Sequence, residues 1–415
     1  MQITRNLYLE KLINRRKNGL IKIVTGMRRS GKSYLLNTIF YNYLLQNGIP
    51  KDHIVQIAFD DIQNKPLRTA EALYSHIKQL ISDEKEYILL LDEIQFVKEF
   101  EDALNGFLHI QNIDVYVTGS NSKFLSSDII TEFRGRGDEI RMHTLSFSEY
   151  TSAHSGTKDE AWDDFMNYGG LPYTLYLQEA EEKEAYLKNL FSQVYMSDII
   201  ERHRVKNETE LEEILDFLSS SVGSLTNPLK LSNTFKSVKH KVISDHTIKN
   251  YINYFEDAFI INKAKRYDIK GKKYINSSAK YYFSDIGLRN ARLNFRQTEE
   301  SHLMENIIYN ELLIRGYSVD VGVVEVFGKS TEGKTTKSQL EIDFIATKGS
   351  KKLYVQSALN LSTEDKMNQE MRSFKNVSDN FRKIIVVRDN IKLRRNEIGI
   401  ETIGIMNFLL NEDIL

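Results

Sequence analysis

The chain of 415 residues has no cysteine and no long apolar run, and its charges nearly cancel. Without cysteine, disulfides and thiolate metal sites are excluded. No apolar stretch reaches the roughly 18 residues that a membrane-spanning helix requires, and the N-terminus has no apolar signal core. We therefore expect a cytoplasmic protein that does not enter a membrane. A chain of this length predicts about two to four domains.

The net charge of −1 hides an uneven distribution of charged residues. From Pro228 to Phe283 the sequence has 12 Lys and Arg against 4 Asp and Glu, a local surplus of +8. The rest of the chain therefore sums to −9. A basic segment on a nearly neutral chain predicts a surface that binds nucleic acid.

One short segment matches a phosphate-binding pattern without a mismatch. Gly26-Met27-Arg28-Arg29-Ser30-Gly31-Lys32-Ser33 fits G-x-x-x-x-G-K-[ST]. A strand-like stretch, 21–25, precedes this loop, and a helical stretch, 34–45, begins after it with Tyr34. This context predicts that backbone N–H groups and a helix N-terminus bind the polyphosphate of ATP or ADP, with Tyr34 among the nucleotide contacts. Lys32 would contact the β- and γ-phosphates, and the Ser33 hydroxyl would bind Mg²⁺.

Two adjacent carboxylates, Asp92 and Glu93, end the apolar strand-like run that begins at Tyr87. In a parallel sheet such a strand end lies where ligands bind. Asp92 would hold Mg²⁺ through water, and Glu93 would polarise the attacking water. The alternative is a solvated strand end, which an isolated Asp-Glu pair usually is.

Polar and basic residues that follow the next strand-like stretch, 114–120, are further candidates. Asn121 would contact the γ-phosphate or the attacking water, although an ordinary strand-to-turn exit explains it too. Arg134 and Arg136 belong either to a solvated loop or to an arginine finger that acts on a neighbouring subunit's nucleotide, with Arg136 favoured. A finger supplied to a neighbour requires a homo-oligomer.

The order of these motifs resembles that of bacterial and archaeal predicted ATPases of the AAA+ superfamily that carry a C-terminal domain of unknown function. The motifs are Gly26–Ser33, Leu91–Glu93, Thr118–Ser120, Gly135-Arg136, Leu145–Tyr150 and Tyr168–Pro172. The resemblance covers nearly the whole chain. It implies an α/β fold, namely a P-loop AAA+-type parallel sheet with a helical lid. In related ATPases a Gly-x-Pro of the lid packs against the base, which implies that role for Pro172; a plain turn before a helix is the alternative.

Three helical segments and a basic hairpin follow, in the order of a winged helix. The helical segments are 210–219, 231–238 and 246–255, and the strand-like segments are 260–267 and 273–283. The third helix would enter the major groove of double-stranded DNA, and the hairpin would contact phosphates. The candidate DNA contacts are His246, Thr247, Lys249, Asn250, Lys270, Lys272 and Lys273. The alternative is a protein–protein module whose lysines only solvate its face.

The last part of the chain resembles the PD-(D/E)xK nuclease fold, a restriction-endonuclease-like α/β domain. A helix carries Glu305, a strand carries Glu341 and Asp343, and a further strand ends at Gln356, with a polar loop predicted over 328–339. These four side chains would gather around a metal, and the nuclease chemistry also needs a lysine. The expected lysine position, however, is Ala358. We therefore predict a degenerate nuclease fold that serves binding or assembly. The alternative for Glu341 and Asp343 is that they are the polar residues of a half-buried strand, whose alternate side chains face water.

The sequence thus predicts four domains. They are a P-loop ATPase core at 1–146, a helical lid at 147–205, a winged helix at 206–284 and a nuclease-like domain at 285–415. The leading hypothesis is Mg²⁺-dependent ATP binding and hydrolysis coupled to the DNA-binding and nuclease-like modules. The alternatives are a nucleotide-dependent switch that acts through a protein partner, and an active nuclease regulated by ATP.

Overall fold

The computed structural model describes residues 3–119, 133, 135–296, 299–329 and 335–415. The chain divides into two compact units. The first comprises Met1–Leu145, Leu171–Tyr176 and Asp257–Phe259, and the second comprises Ser146–Gly170, Leu177–Glu256 and Ile260–Leu415. Within the described ranges, no helix is long and apolar enough to cross a membrane.

A five-stranded sheet forms the centre of the first unit. Its strands are β1 (Ile21–Thr25), β2 (Ile54–Ala58), β3 (Tyr87–Asp92), β4 (Ile113–Thr118) and β5 (Gly137–Arg141). They lie in the order β2-β3-β4-β1-β5, and every neighbouring pair is parallel. The continuous apolar run of β3 suits a central strand that is buried on both faces.

The helices of the first unit cover both faces of this sheet. They are Asn6–Ile13, Lys32–Tyr34, Tyr41–Gln46, Ala70–Leu80 and Phe100–Phe107, with a π-helical Leu35–Phe40 and 3₁₀ turns at Lys51–His53, Ile62–Leu67, Ile94–Phe96 and Pro172–Tyr176. Successive strand residues point to opposite faces. Leu89 and Leu91 therefore pack in one core with Phe100, while Leu90 packs in the other with Phe40.

An eight-stranded mixed sheet forms the centre of the second unit. Its strands are β6 (Ile261–Asp268), β7 (Lys273–Phe283), β8 (Ser318–Lys329), β9 (Thr335–Lys348), β10 (Lys351–Ala358), β11 (Arg382–Val387), β12 (Arg394–Arg395) and β13 (Glu401–Gly404). Their order is β12-β13-β11-β10-β9-β8-β6-β7. The pairs β6–β8, β10–β11 and β11–β13 are parallel, and the other pairs are antiparallel.

The second unit also contains most of the helices. They are Phe147–Ala153, Lys158–Tyr168, Ala180–Leu190, Ser197–His203, Glu208–Ser220, Pro228–Val238, Asp245–Asp257, Ile286–Arg292, Glu300–Ile314, Glu364–Lys375 and Ile405–Leu410, with a π-helical Phe191–Met196 and a 3₁₀ turn at Glu412–Ile414. Side-chain caps define several of their N-termini. Ser146 and Thr157, for example, each begin a helix with a reciprocal capping box.

The structure corrects one part of the predicted organisation and adds to another. The predicted polar loop over 328–339 is wrong in extent, because the β8–β9 ladder continues to the pair Lys329 and Thr335. Polar sequence misled the prediction, since backbone hydrogen bonds can extend a hairpin whose side chains face solvent. In addition, β6 pairs with β8 across the predicted boundary at 284, so the predicted winged helix and nuclease-like domain share one sheet. The four-domain division itself stays a prediction.

Candidate functional site

The candidate phosphate-binding loop, 26–33, curves around the ammonium group of Lys32. Its Nζ donates to the carbonyl oxygens of Gly26 at 3.0 Å and Met27 at 2.9 Å, and Lys32 is only 4% exposed. Burial lowers the pKa of Lys32 to about 8, although nearby carboxylates oppose the shift. The loop therefore presents a buried ammonium beside the N-terminus of a helical run, where a phosphate group is stabilised.

Backbone geometry requires both glycines of this loop. Gly26 has a φ of +133°, and a Cβ there would lie 2.1 Å from the carbonyl oxygen of Met142. Gly31 has a φ of +98°. Residues with a side chain rarely adopt these conformations. The pattern of the motif thus follows from the shape of the loop.

Asp92 connects the loop to β3 and β4. Its Oδ1 accepts from the Ser33 hydroxyl at 3.1 Å and from the Thr118 hydroxyl, and its Oδ2 accepts from Asn37 Nδ2 at 3.0 Å. Burial raises the pKa of the Asp92 carboxyl, whereas the hydroxyl donors oppose this shift. The three donors hold the carboxylate against the loop.

Glu93 has a backbone conformation that is uncommon for a residue with a side chain. Its φ is +54°, its N–H donates to Thr118 Oγ1 at 3.0 Å, and Gln95 Nε2 donates to its carboxylate. Left-handed backbone at such a residue costs about 1–2 kcal/mol and is found where surrounding structure holds it, often at functional sites. Thr118 therefore contacts both candidate residues, Asp92 directly and Glu93 through its backbone.

The oxygen ligands at this site fit Mg²⁺. Ser33 is exposed, and its hydroxyl lies 3.1 Å from the Asp92 carboxylate, so both offer oxygen ligands on the same side of the loop. Mg²⁺ beside a nucleotide takes only one or two protein ligands, and phosphates and water supply the others. The Ser33–Asp92 pair meets that requirement.

The remaining predicted nucleotide contacts lie around the loop. Arg28 is half-buried, Arg29 is exposed, and the Ser30 hydroxyl donates to the Met27 carbonyl oxygen at 2.9 Å. Tyr34 follows the loop and is exposed. A Cβ on Gly31 would lie 4.0 Å from Pro172 Cγ, so Pro172 is next to the loop.

The structure does not bring Arg136 to the loop. Its Nη1 donates to Asn105 Oδ1 at 3.0 Å, and the side chain is exposed. Asn121 and Arg134 lie outside the described residues. The proposed roles of these three residues stay predictions.

The predicted DNA contacts form two groups, one on a helix and one on a turn. On the helix Asp245–Asp257, His246 and Lys249 are exposed while Thr247 and Asn250 are half-buried, and the opposite face packs inward through Ile248, Ile252 and Phe255. On the turn between β6 and β7, Lys272 and Lys273 are exposed. Lys270 is exposed as well, and its Nζ donates to the Glu325 carbonyl oxygen at 3.0 Å.

Three of the four predicted nuclease-like residues meet, and they do so around a lysine. The carboxylates of Glu305, Glu341 and Asp343, hereafter the acidic cluster, surround Lys280 Nζ. Gln356 turns its Oε1 toward the Asp343 backbone N–H, at 3.4 Å. Burial raises the pKa of the Asp343 carboxyl, and the neighbouring carboxylate of Glu305 adds to the shift. Burial acts to lower the pKa of Lys280, but the acidic cluster outweighs it and raises that pKa.

The sequence predictions gave no role to four residues that the structure places at these sites, although one of them, Thr118, lies in a motif of the family resemblance. They are Arg5, Asn37, Thr118 and Lys280. Asn37 lies four residues after Ser33, a spacing that puts both side chains on one helix face and was open to prediction. Arg5 reaches the Ser30 and His143 carbonyl oxygens, at 3.2 and 2.7 Å, from the far N-terminus, and no local pattern indicates that contact.

Comparison with known proteins places the chain in a family. An uncharacterized protein of Haemophilus influenzae is 35% identical over 415 residues, which is 98% of this chain and 98% of that protein. The chain belongs to the same protein family. An uncharacterized protein of Methanocaldococcus jannaschii is 26% identical over 93% of this chain and 84% of its own length.

Two family models match successive parts of the chain. The model of the AAA domain matches residues 18–151, and the model of a domain of unknown function (DUF8612) matches residues 159–299. The expected resemblance is therefore confirmed for the AAA part, whose parallel sheet and phosphate loop are those of a nucleotide-binding domain. A solved DNA replication initiation factor is 18% identical over 51% of this chain and 67% of its own, with a TM-score of 0.26, which is too low to establish a common fold.

Proposed function

We propose that this protein binds ATP with Mg²⁺ and hydrolyses it in the AAA domain. The observation that carries the proposal is the position of Asp92 at the end of β3, where Ser33 of the phosphate loop and Thr118 of β4 both donate to its carboxylate. Loop, metal-binding carboxylate and neighbouring Glu93 are the parts that phosphoryl transfer to water requires.

Each residue has a defined role in this proposal. The ammonium of Lys32 exchanges its two backbone carbonyl partners for the β- and γ-phosphates and neutralises charge that develops on them. Ser33 would ligate Mg²⁺ and Asp92 would hold the ion through water; the ion would supply charge neutralisation when bound. Glu93 accepts a hydrogen bond from the attacking water and orients it toward the γ-phosphorus.

Two substitutions test these roles separately. Lys32→Ala is expected to abolish ATP binding, because it removes the buried ammonium that faces the phosphates. Glu93→Gln keeps a hydrogen-bonding side chain of nearly the same size, so ATP should bind while steady-state phosphate release falls. Normal hydrolysis by the Glu93→Gln protein would show that Glu93 does not orient the water.

We also propose that the second unit contains a DNA-binding winged helix. The order of elements supports this assignment, because the β6–β7 hairpin follows three helices, Glu208–Ser220, Pro228–Val238 and Asp245–Asp257. Thr226, between the first two of these helices, pairs with Ala279 of β7, as the short first strand of a winged helix does. The exposed His246 and Lys249 lie on the third helix. Lysines there and on the hairpin turn would contact phosphates, which gives affinity without sequence choice.

Fluorescence anisotropy with duplex DNA tests this second proposal. The Lys249→Ala protein should bind more weakly and lose about one unit of the slope of log affinity against log salt per phosphate contact. Lys78→Ala is a matched control, since Lys78 is also an exposed lysine on a helix but lies in the first unit. Absence of DNA binding at low salt would favour a nucleotide-dependent switch that acts on a protein partner.

The strand order of the C-terminal part supports a nuclease-like fold. The helix Glu300–Ile314 precedes the antiparallel strands β8, β9 and β10, and the helix Glu364–Lys375 then leads to β11, which is parallel to β10. We propose that this domain serves binding or assembly. Whether this domain can cleave a phosphodiester depends on its acidic cluster.

A further inference from the structure

We propose that the ammonium group of Lys280 takes the place of a divalent cation in the acidic cluster. The cluster is then held together without a metal, and the C-terminal domain does not cleave phosphodiesters. The inference rests on the contacts of Lys280 and is independent of ATP hydrolysis and of DNA binding.

The distances place Lys280 Nζ at the centre of the cluster. It lies 2.8 Å from Glu305 Oε1, 2.8 Å from Glu341 Oε1 and 3.6 Å from Asp343 Oδ1. The Lys280 side chain is only 6% exposed. One buried positive charge thus faces three carboxyl groups that repel one another, and removal of that charge would leave them uncompensated.

Neighbouring contacts hold the lysine in this position. Tyr282, two residues along β7, donates its hydroxyl to the same Glu305 oxygen at 2.6 Å. The Asn306 side chain accepts from the Phe283 N–H at 2.8 Å and donates to the Phe283 carbonyl oxygen at 2.7 Å. Strand β7 and the helix Glu300–Ile314 are therefore joined at two successive positions, which fixes the origin of the Lys280 side chain relative to the cluster.

The surroundings fit an ammonium ion better than Mg²⁺. Mg²⁺ requires near-octahedral oxygen ligands at about 2.0–2.1 Å, and Lys280 Nζ, at hydrogen-bond distance from Glu305 and Glu341, occupies the space between the carboxylates that such an ion would need. Asp343 Oδ2 accepts from the Ser357 N–H at 2.8 Å, so its second oxygen is also engaged. In the part of the chain that the structure describes, no group of three or more carboxylate or imidazole side chains is arranged to hold a metal ion.

The positions expected for a nuclease agree with this interpretation. Gln356 stands where a further carboxylate is expected and contacts the Asp343 backbone, and Ala358 stands where the catalytic lysine is expected. The chain thus lacks two parts at the expected strand and carries a lysine on another strand, β7. Its ammonium offsets part of the charge of the carboxylates, and its contacts connect the β6–β7 hairpin to β9 and to the helix Glu300–Ile314.

Thermal unfolding of the full-length, nucleotide-free protein with and without Mn²⁺ tests the proposal. Mn²⁺ should raise the thermal midpoint of the wild type no more than that of the Asp343→Asn protein. The Lys280→Met protein keeps a similar side-chain length without charge. It should unfold at a lower midpoint and gain a stabilisation that increases with Mn²⁺ concentration. The Lys280→Met, Asp343→Asn protein is the matched control and should lose that gain.

Three results would overturn the proposal. One is a folded Lys280→Met protein that gains no stabilisation from Mn²⁺. Another is Mn²⁺-dependent cleavage of plasmid DNA by the wild type that Asp343→Asn abolishes; if Lys280→Met abolishes it too, Lys280 is a catalytic lysine. If Lys280→Met does not fold, Mn²⁺ binding to the wild type and to Asp343→Asn is counted by equilibrium dialysis; equal binding supports the proposal, and one site fewer in Asp343→Asn contradicts it.

Discussion

Thr118 offers a test of how the two candidate carboxylates are positioned. Its hydroxyl donates to Asp92 and accepts from the Glu93 N–H at 3.0 Å, and the residue is fully buried. Thr118→Val replaces the hydroxyl by a methyl group of similar volume, so both hydrogen bonds are lost while packing is kept. Asp92 would still accept from Ser33 and Asn37.

The magnitude follows from these two bonds. A hydrogen bond to a charged group contributes about 1.5–3 kcal/mol, and a buried N–H without a partner costs about 1–3 kcal/mol. Glu93 has left-handed backbone with a φ of +54° and loses a contact that holds it there. If about 1.4–2.8 kcal/mol of the loss appears in the transition state, kcat falls about ten- to a hundredfold, because about 1.36 kcal/mol corresponds to a factor of ten.

Steady-state phosphate release and binding of a fluorescent ATP analogue measure the two effects separately. We expect Thr118→Val to lower kcat and to leave nucleotide affinity within about threefold, since Lys32 and the loop are unchanged. Thr118→Ser keeps the hydroxyl and is the matched control, with kcat near that of the wild type. A Thr118→Val protein as active as the wild type would refute the proposed positioning of Glu93.

Three further predictions concern a glycine of the phosphate loop, a buried ion pair and a histidine with a lowered pKa. Gly26→Ala should lower the thermal midpoint and abolish ATP binding, because its Cβ would lie 2.1 Å from the Met142 carbonyl oxygen; unchanged binding would contradict the loop geometry. Lys22 is fully buried in an ion pair with Asp114, so Lys22→Met should cost about 3–5 kcal/mol in urea unfolding. The double variant Lys22→Met, Asp114→Asn should recover part of this loss, and an unchanged midpoint in the single variant would refute it. Burial and a neighbouring arginine lower the pKa of His203 to about 4. Between about pH 6.5 and pH 4 the unfolded state therefore binds a proton that the folded state does not, and the free energy of unfolding falls as the pH falls through this window. Urea unfolding of His203→Phe should lack that part of the pH dependence; identical pH profiles for the two proteins would contradict it.

Local patterns in the sequence predicted the phosphate loop and the end of β3. The loop needs two glycines, a lysine and a hydroxyl within eight residues, and these constraints come from near neighbours in the chain. The apolar run that ends at Asp92 was likewise visible, because a parallel strand buried on both faces is apolar throughout. The AAA domain was therefore open to prediction from composition, spacing and a resemblance to known ATPases.

Strand order and register decided the rest of the nucleotide site. The register of β3 and β4 pairs Leu91 with Val117, which puts Thr118 beside Asp92 although 26 residues separate them in sequence. No pattern within either strand indicates which strand is its neighbour. Only the tertiary structure therefore assigned Thr118 to the site.

The acidic cluster shows the same division between sequence and tertiary structure. Its three carboxylates were chosen from their places on one helix and one strand, yet their partner, Lys280, lies on a hairpin that the sequence assigned to another domain. The β6–β7 register shifts between Lys265 and Arg266, and such a bulge bends a hairpin. Sequence determined which residues carry charge; only the folded chain decided that an ammonium group meets the carboxylates, because long-range contacts depend on how strands bend and pair.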